Sequence, residues 1–260
     1  MTPRVTPKKE LGQHFLVDEN ILGVIGRLAE LAPADVVLEV GPGLGVLTAY
    51  LADRVAGVHA VELDRSLEPR LRDALGERAN VELVFGDALQ LDLASLDPPA
   101  TKLVANLPYN VATPLVVESL DRLPAIEHWT VMVQREVADR FFAAPRTKAY
   151  GAVSVLLQLT TERTGFHAVS ASVFRPRPNV QSAIVAFRRR GARGDFGAVK
   201  RVVSAAFAHR RKLLVNSLEL AGVASRDAAA AALTVIGRDA SVRAEALAPE
   251  EFAALALALE

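Results

Sequence analysis

Apolar residues recur along the chain with two periods, and the order in which those periods alternate sets the architecture. Ile21, Leu22, Ile25, Leu28 and Ala29 share one face at helical spacing, with Asp18 as N-cap and Pro33 just beyond, which predicts a helix over residues 19–31. A β-rich run over 36–40 leads into the turn Gly41-Pro42-Gly43-Leu44-Gly45 and a helical pattern over 46–54. Further strands are expected over 58–63, 81–85, 102–106 and 129–134, with helices over 66–75, 111–120 and 136–143 between and after them. Strands alternating with helices predict an α/β fold with a parallel, doubly wound sheet. Residues 153–161 and 183–187 read as a closing, hairpin-like pair of strands. Past Gly191-Ala192-Arg193-Gly194 the pattern becomes Ala-rich and helical only, over 196–208, 211–220, 227–236 and 249–259. The expected organisation is one domain over 1–190, with 1–15 as a basic, mobile arm, and a small all-helical domain over 195–260.

Composition narrows the class. At 260 residues with 51% hydrophobic and 23% charged positions, the chain is not a disordered one. With no cysteine it has no disulfide scaffold, thiolate nucleophile or Cys-ligated metal, and the five histidines are scattered without ligand spacing, so no metal is expected. There is no apolar run of about 18 residues to span a membrane, and no apolar h-region near the N-terminus, so a cytoplasmic protein is expected. Lys+Arg and Asp+Glu both total 30, but the balance is uneven. From Arg175 to Val215 eleven basic residues face one acid, Asp195; from Asn216 to Glu260 seven acids face three arginines. The first stretch, with Arg175, Arg177, Arg210, Arg211 and Lys212, reads as a footprint for nucleic-acid phosphates, joined by Arg4, Lys8 and Lys9 of the arm.

Three features fall at the carboxyl ends of predicted parallel strands, where open α/β sheets bind ligands. The glycine turn follows the first strand. Its spacing is G-x-G-x-G; the dinucleotide fingerprint needs a further glycine where Val46 stands, and no Lys follows to make a phosphate loop. Glu62 ends the second strand, 21 residues after Gly41, placed to accept from ribose hydroxyls. Asp87 ends the third, placed to accept from an adenine amine. Together they predict a pocket for an adenosine-bearing cofactor without phosphates, with Gly41, Gly43, Glu62 and Asp87 in its wall.

The fourth strand ends in Asn106-Leu107-Pro108-Tyr109. An adenine N6 amine is a poor nucleophile, because its lone pair is delocalised into the ring. To take a methyl group it must be held in line, with acceptors for its N–H groups. The Asn106 amide oxygen and a backbone carbonyl beside Pro108 can supply them, and Tyr109 offers a face for the base. A sulfonium leaving group needs no general base before transfer; orientation supplies much of the rate. Phe174, in the rigid basic loop Val173-Phe174-Arg175-Pro176-Arg177-Pro178, either closes the other face of a flipped base or anchors the loop in the core.

These motifs resemble the small-subunit ribosomal RNA adenine N6,N6-dimethyltransferases, from Lys8 to about Leu220. The resemblance rests on Leu11-Gly12-Gln13-His14-Phe15-Leu16, the glycine-turn segment 38–48, the tetrapeptide 106–109, the segment 132–140, Tyr150-Gly151, the Phe174 loop, and Phe207-Ala208-His209-Arg210-Arg211-Lys212 with Asn216-Ser217-Leu218. It implies a Rossmann-like, seven-stranded class I methyltransferase sheet with a small helical domain. It implies S-adenosylmethionine as methyl donor, and as substrate two adjacent adenines in the 3′-terminal hairpin loop of 16S rRNA in an immature 30S subunit, acted on by a monomer. It implies that His14, Leu16, Gly41, Glu62, Asp87 and Asn106 line the cofactor site, that Asn106 and Leu107 hold the target N6, and that Tyr109 and Phe174 grip the base. Two departures stand out. Position 14 is His where the family usually has Asn, and Asn179 and Gln181 replace a basic and an acidic residue of the Phe174 loop. The related family that methylates an adenine of 23S rRNA shares the turn and the tetrapeptide; the segment 207–212 and the loop prolines favour the small-subunit enzyme.

Overall fold

The computed structural model describes residues 8, 13–108, 111–191 and 195–260. Its elements run β1 (Phe15–Leu16), α1 (Glu19–Leu28), β2 (Val36–Val40), α2 (Val46–Ala52), β3 (Gly57–Glu62), α3 (Glu68–Leu75), β4 (Val81–Phe85), β5 (Lys102–Asn106), α4 (Ala112–Arg122), β6 (His128–Gln134), α5 (Arg135–Phe141), α6 (Ala152–Thr160), β7 (Thr161–Val169), β8 (Phe174–Arg175), β9 (Ser182–Arg189), α7 (Phe196–Ala208), α8 (Leu214–Leu220), α9 (Arg226–Val235) and α10 (Pro249–Ala258).

Seven strands form one sheet in the order β4-β3-β2-β5-β6-β9-β7. The five strands from β4 to β6 are parallel, and β9 joins β6 antiparallel. All five residues of β2 are buried, as a parallel strand covered on both faces requires. The register sets Asn106 beside Met132 and Glu62 beside Phe85, so the polar ends of β2, β3, β4 and β5 share one edge of the sheet. Helix α1 starts where Asp18 accepts from the Asn20 N–H, and it buries Ile21, Leu22 and Ile25.

The chain divides into two compact units, Met1–Ala138 with Arg163–Arg189, and Asp139–Glu162 with Arg190–Glu260. Within the first, Val37, Leu51, Ala60 and Ile184 form the centre of the main core. Within the second, α6 to α10 pack around Leu214, Leu218, Leu233, Phe252 and Leu255.

Three expectations change. Residues 153–161 are not a strand: Ala152–Thr160 is a helix, because an apolar run buried on every side has no periodicity to separate the two forms. The helical unit is not contiguous, since Asp139–Glu162 belongs with it. The N-terminal segment does not stay loose as far as residue 15: Phe15 and Leu16 pair with β8 as a short antiparallel ribbon. Phe15 enters a cluster with Leu67 and Leu71, while Leu16 enters the main core, as alternation along a strand demands.

Candidate functional site

The turn after β2 depends on glycine at two points. Gly41 has φ +76° and Gly43 φ +60°, in the left-handed region that side-chain-bearing residues rarely adopt. A Cβ on Gly41 would lie 3.1 Å from Pro108 Cδ, and one on Gly43 would lie 3.0 Å from Phe15 Cδ1. The turn therefore presses directly against the tetrapeptide on one side and against the N-terminal segment on the other.

Glu62 is buried at the end of β3. Its Oε2 accepts from the Gly43 N–H at 3.1 Å and its Oε1 from the Asp64 N–H at 2.9 Å. Burial raises its pKa, the two backbone donors oppose the rise, and the Asp64 charge adds to it. Asp87 follows Gly86 beyond β4, and its Oδ1 accepts from the Leu89 N–H at 2.9 Å. Glu39, inside β2, escaped sequence reasoning. It is 1% exposed, and burial pushes its pKa up to about 8, with Thr48 opposing and the Glu62 charge reinforcing the rise. Even so, Glu39 Oε2 and Thr48 Oγ1 complete no hydrogen bond of normal geometry. The available signal was a lone carboxyl in the run Val-Val-Leu-Glu-Val.

Asn106 ends β5. Its Nδ2 donates to the His14 carbonyl at 3.3 Å, which commits the nitrogen side of the amide and leaves the oxygen as acceptor for a ligand. Leu107 is buried and its N–H donates to the Met132 carbonyl at 3.0 Å, which pins the tetrapeptide to β6. Tyr109 lies outside the described residues. His14 Nδ1 stands 2.8 Å from the Pro176 carbonyl, which only accepts, so Nδ1 carries the proton.

One cleft, enclosing about 1070 Å³ of empty space including its open mouth, is lined by His14, Leu16, Gly41, Gly43, Glu62, Asp87, Asn106, Leu107 and Pro108. Glu39, Gln13 and Phe15, which sequence reasoning did not place there, line it too. Phe174 does not. Its side chain is 1% exposed and belongs to the core cluster with Leu16, Met132 and Ile184, so in this conformation it anchors β8 and offers no face to a base. Pairing on β1 turns Phe174 inward and Arg175 outward.

The basic residues sort unevenly. Arg175 and Arg177 are exposed in the first unit, with Arg175 Nη1 donating to the Ser172 and Phe174 carbonyls at 3.2 and 3.0 Å. In the helical unit Arg210, Arg211 and Lys212 are all exposed, and Arg210 Nη2 also donates to the Tyr150 carbonyl at 2.9 Å and the Lys148 carbonyl at 3.2 Å. Two members of the expected phosphate footprint belong to the fold instead. Arg189 donates to the carbonyls of Leu120 and Leu123 at the end of α4 and of Ile126 beyond the turn that follows it, and stacks over Trp129 at 5.0 Å. Arg190 pairs with Glu162 at 3.0 Å. Lys8 of the arm is likewise engaged, at 2.7 Å from Asp64. Arg4, Lys9 and Arg193 lie outside the described residues. Among the described residues no group of His, Asp and Glu is placed to hold a metal ion, and no helix is long and apolar enough to cross a membrane.

Residues 5–259 match the family model described as ribosomal RNA adenine dimethylase. The chain is 49% identical over 255 residues to ribosomal RNA small subunit methyltransferase A of Rubrobacter xylanophilus, covering 98% of this chain and 95% of the relative. It is 42% identical to the protein of that name from Geobacter metallireducens, covering 98% and 96%. Among solved structures, a dimethyladenosine transferase from Plasmodium falciparum superposes with TM-score 0.76 at 22% identity over 93% of this chain and 96% of that one. The 23S rRNA methyltransferase ErmE does so with TM-score 0.67 at 30% identity over 94% and 99%.

Proposed function

The chain belongs to the ribosomal RNA adenine dimethylase family, and on that premise we propose that it dimethylates N6 of two adjacent adenines in the 3′-terminal hairpin loop of 16S rRNA during maturation of the small subunit. The reaction class is S-adenosylmethionine-dependent methyl transfer to ribosomal RNA adenine. The small-subunit substrate is supported by relatives of that name at 49% and 42% identity, against 30% for the 23S enzyme. On this reading the enzyme would work in the cytoplasm, on an immature 30S particle.

The observation that carries the reading is the convergence of the glycine turn, two strand-end carboxyls and the Asn106 corner on one cleft. The cleft fits the methyl donor on chemical grounds. Gly41 and Gly43, bare of side chains, let Pro108 and Phe15 close directly on the turn in the cleft wall, and Glu62 is a buried acceptor already oriented by two backbone N–H groups. When bound, S-adenosylmethionine supplies an electrophilic methyl group on a sulfonium. Glu62 would take the ribose hydroxyls and Asp87 the adenine amine, with His14, Leu16, Gly41 and Gly43 as walls. Asn106, with its amide nitrogen committed to the His14 carbonyl, would accept from the target N6–H together with the Leu107 carbonyl, and Tyr109 would stack on the base. Orientation carries most of the rate, because a correctly placed amine needs no prior deprotonation. Phe174 would reach a base only if β8 moved. Arg175 and Arg177 in one unit, and Arg211 and Lys212 in the other, would meet rRNA phosphates, with Arg210 positioning its own loop. Binding should therefore weaken with salt.

Incubation of immature 30S particles with methyl-labelled S-adenosylmethionine tests the substrate. Label should appear as dimethyladenosine in 16S rRNA; label in 23S rRNA would overturn the assignment.

A further inference from the structure

Asp64 stands one step outside the cleft and gathers the N-terminal segment onto it. It follows β3 two residues after Glu62 and is 5% exposed. Its Oδ1 accepts from Lys8 Nζ at 2.7 Å, and from the Ser66 N–H and hydroxyl at 3.0 and 2.6 Å. Its Oδ2 accepts from Gln13 Nε2 at 3.0 Å. Lys8 and Gln13 also close on each other, the Lys8 N–H donating to Gln13 Oε1 at 2.8 Å. On its other side, the Asp64 N–H holds Glu62 Oε1. One residue thus fixes both the acid inside the cleft and the segment that walls it, since Gln13, His14, Phe15 and Leu16 all line the cleft while Asp64 does not.

This is not an ordinary surface ion pair, which contributes little. The Asp64 side chain is buried beneath its partners and receives four donors, two of them from the N-terminal segment. Burial opposes its charge, but the bonds from Lys8, Ser66 and Gln13 outweigh burial and hold its pKa down at about 2. The carboxylate stays charged at any working pH. Apart from this contact, the segment is tied down by the two-residue ribbon β1–β8, the His14 contacts and the apolar anchors Phe15 and Leu16.

We propose that Asp64 is a latch that holds Lys8 and Gln13 so that residues 14–16 already stand as a wall when the methyl donor arrives. The proposal rests on the reading of the cleft as the S-adenosylmethionine site. A wall fixed in advance spares the donor the cost of ordering it; an unlatched wall lowers apparent affinity by the fraction of molecules left open. Once the donor is bound it holds the wall itself, so the transfer step is unchanged. Asp64 is a positioning residue in this scheme, acting through Gln13, Lys8 and Glu62.

The test uses the full chain with Asp64→Asn, Lys8→Met and the double variant, assayed on 30S particles. Asp64→Asn should raise KM for S-adenosylmethionine about tenfold and Lys8→Met by a smaller factor, with kcat within about twofold of wild type. The double variant should be no worse than Asp64→Asn, because both changes break one contact. Trypsin should also cut after Lys8 faster in Asp64→Asn. Unchanged KM in both single variants, a fall in kcat at constant KM, or effects that multiply in the double variant would each overturn the latch. If Asp64→Asn does not fold, Lys8→Met decides alone, because its side chain is 41% exposed and its removal disturbs no core. Wild type that binds no S-adenosylmethionine would instead refute the cleft assignment, and the latch with it.

Discussion

The carboxyl ends of β2 to β5 and the helical unit spend their polar groups in opposite ways. In the helical unit they complete the fold. Asp195 caps α7 through the Gly197 and Ala198 N–H groups, and Ser225 caps α9 through the Ala228 N–H. Tyr150 donates to the Leu247 carbonyl at 2.8 Å, and Glu251 takes both the Arg238 guanidinium and the Ala248 N–H. At the strand ends the accounts stay open. Two glycines sit at left-handed φ hard against neighbours, Glu39 and Glu62 are carboxyls raised by burial, and Glu39 Oε2 and Thr48 Oγ1 complete no hydrogen bond of normal geometry. Backbone and polar features that cost folding free energy persist where the surroundings over-determine them, and such places are candidates for function. The contrast points to the strand ends as the working edge and to the helical unit as ordinary, well-satisfied packing.

Two changes sharpen that contrast. The larger is Phe252→Ala in the helical unit, where the ring is fully buried 5.7 Å from Phe207. Truncation should cost about 3–5 kcal/mol of stability and lower Tm, with S-adenosylmethionine affinity of the folded protein unchanged in the cold. A parallel loss of affinity, read by calorimetry, would break the distinction between the regions. The smaller is Glu39→Gln at the strand ends. The Glu39 carboxyl ionises near its ordinary 4.5 when unfolded but only at about 8 when folded. The proton therefore favours the folded state below the lower value, and that support drains away as pH rises through the upper one. Wild-type Tm should fall more than that of Glu39→Gln between about pH 5 and about pH 9. Equal slopes in thermal scans would remove the burial penalty assigned to Glu39.

Much of this edge is readable in the residues alone. Runs such as Val36–Val40 and Lys102–Asn106 are β-rich, short and closed by Gly or Asn-Leu-Pro, so both the strands and the positions of Gly41, Glu62, Asp87 and Asn106 follow from pattern. What escapes the pattern depends on contacts distant in sequence. Helix α6 is apolar on every side and begins with Val153 and Val155, so it mimics a strand; its marker is Ser154, whose hydroxyl accepts from the Gly151 N–H at 3.1 Å. The N-terminal segment reads as a basic arm because Lys8 and Gln13 gain their meaning only from Asp64, about fifty residues on. Arg189 reads as a phosphate ligand because a charge count cannot see the three carbonyls at and just beyond the end of α4. Phe174 was open between base and core, and its pairing with Leu16 decides its place in this conformation.

The central claim is that one cleft divides its labour, with Glu62 holding the methyl donor and Asn106 presenting the acceptor amine. Calorimetric titration of S-adenosylmethionine into wild type, Glu62→Ala and Asn106→Ala, run beside methyl transfer on 30S particles, tests it most directly. The account predicts one site in wild type, affinity weakened at least about tenfold in Glu62→Ala, and near-normal affinity with abolished transfer in Asn106→Ala. Wild-type affinity in Glu62→Ala, or undiminished transfer by Asn106→Ala, would contradict it.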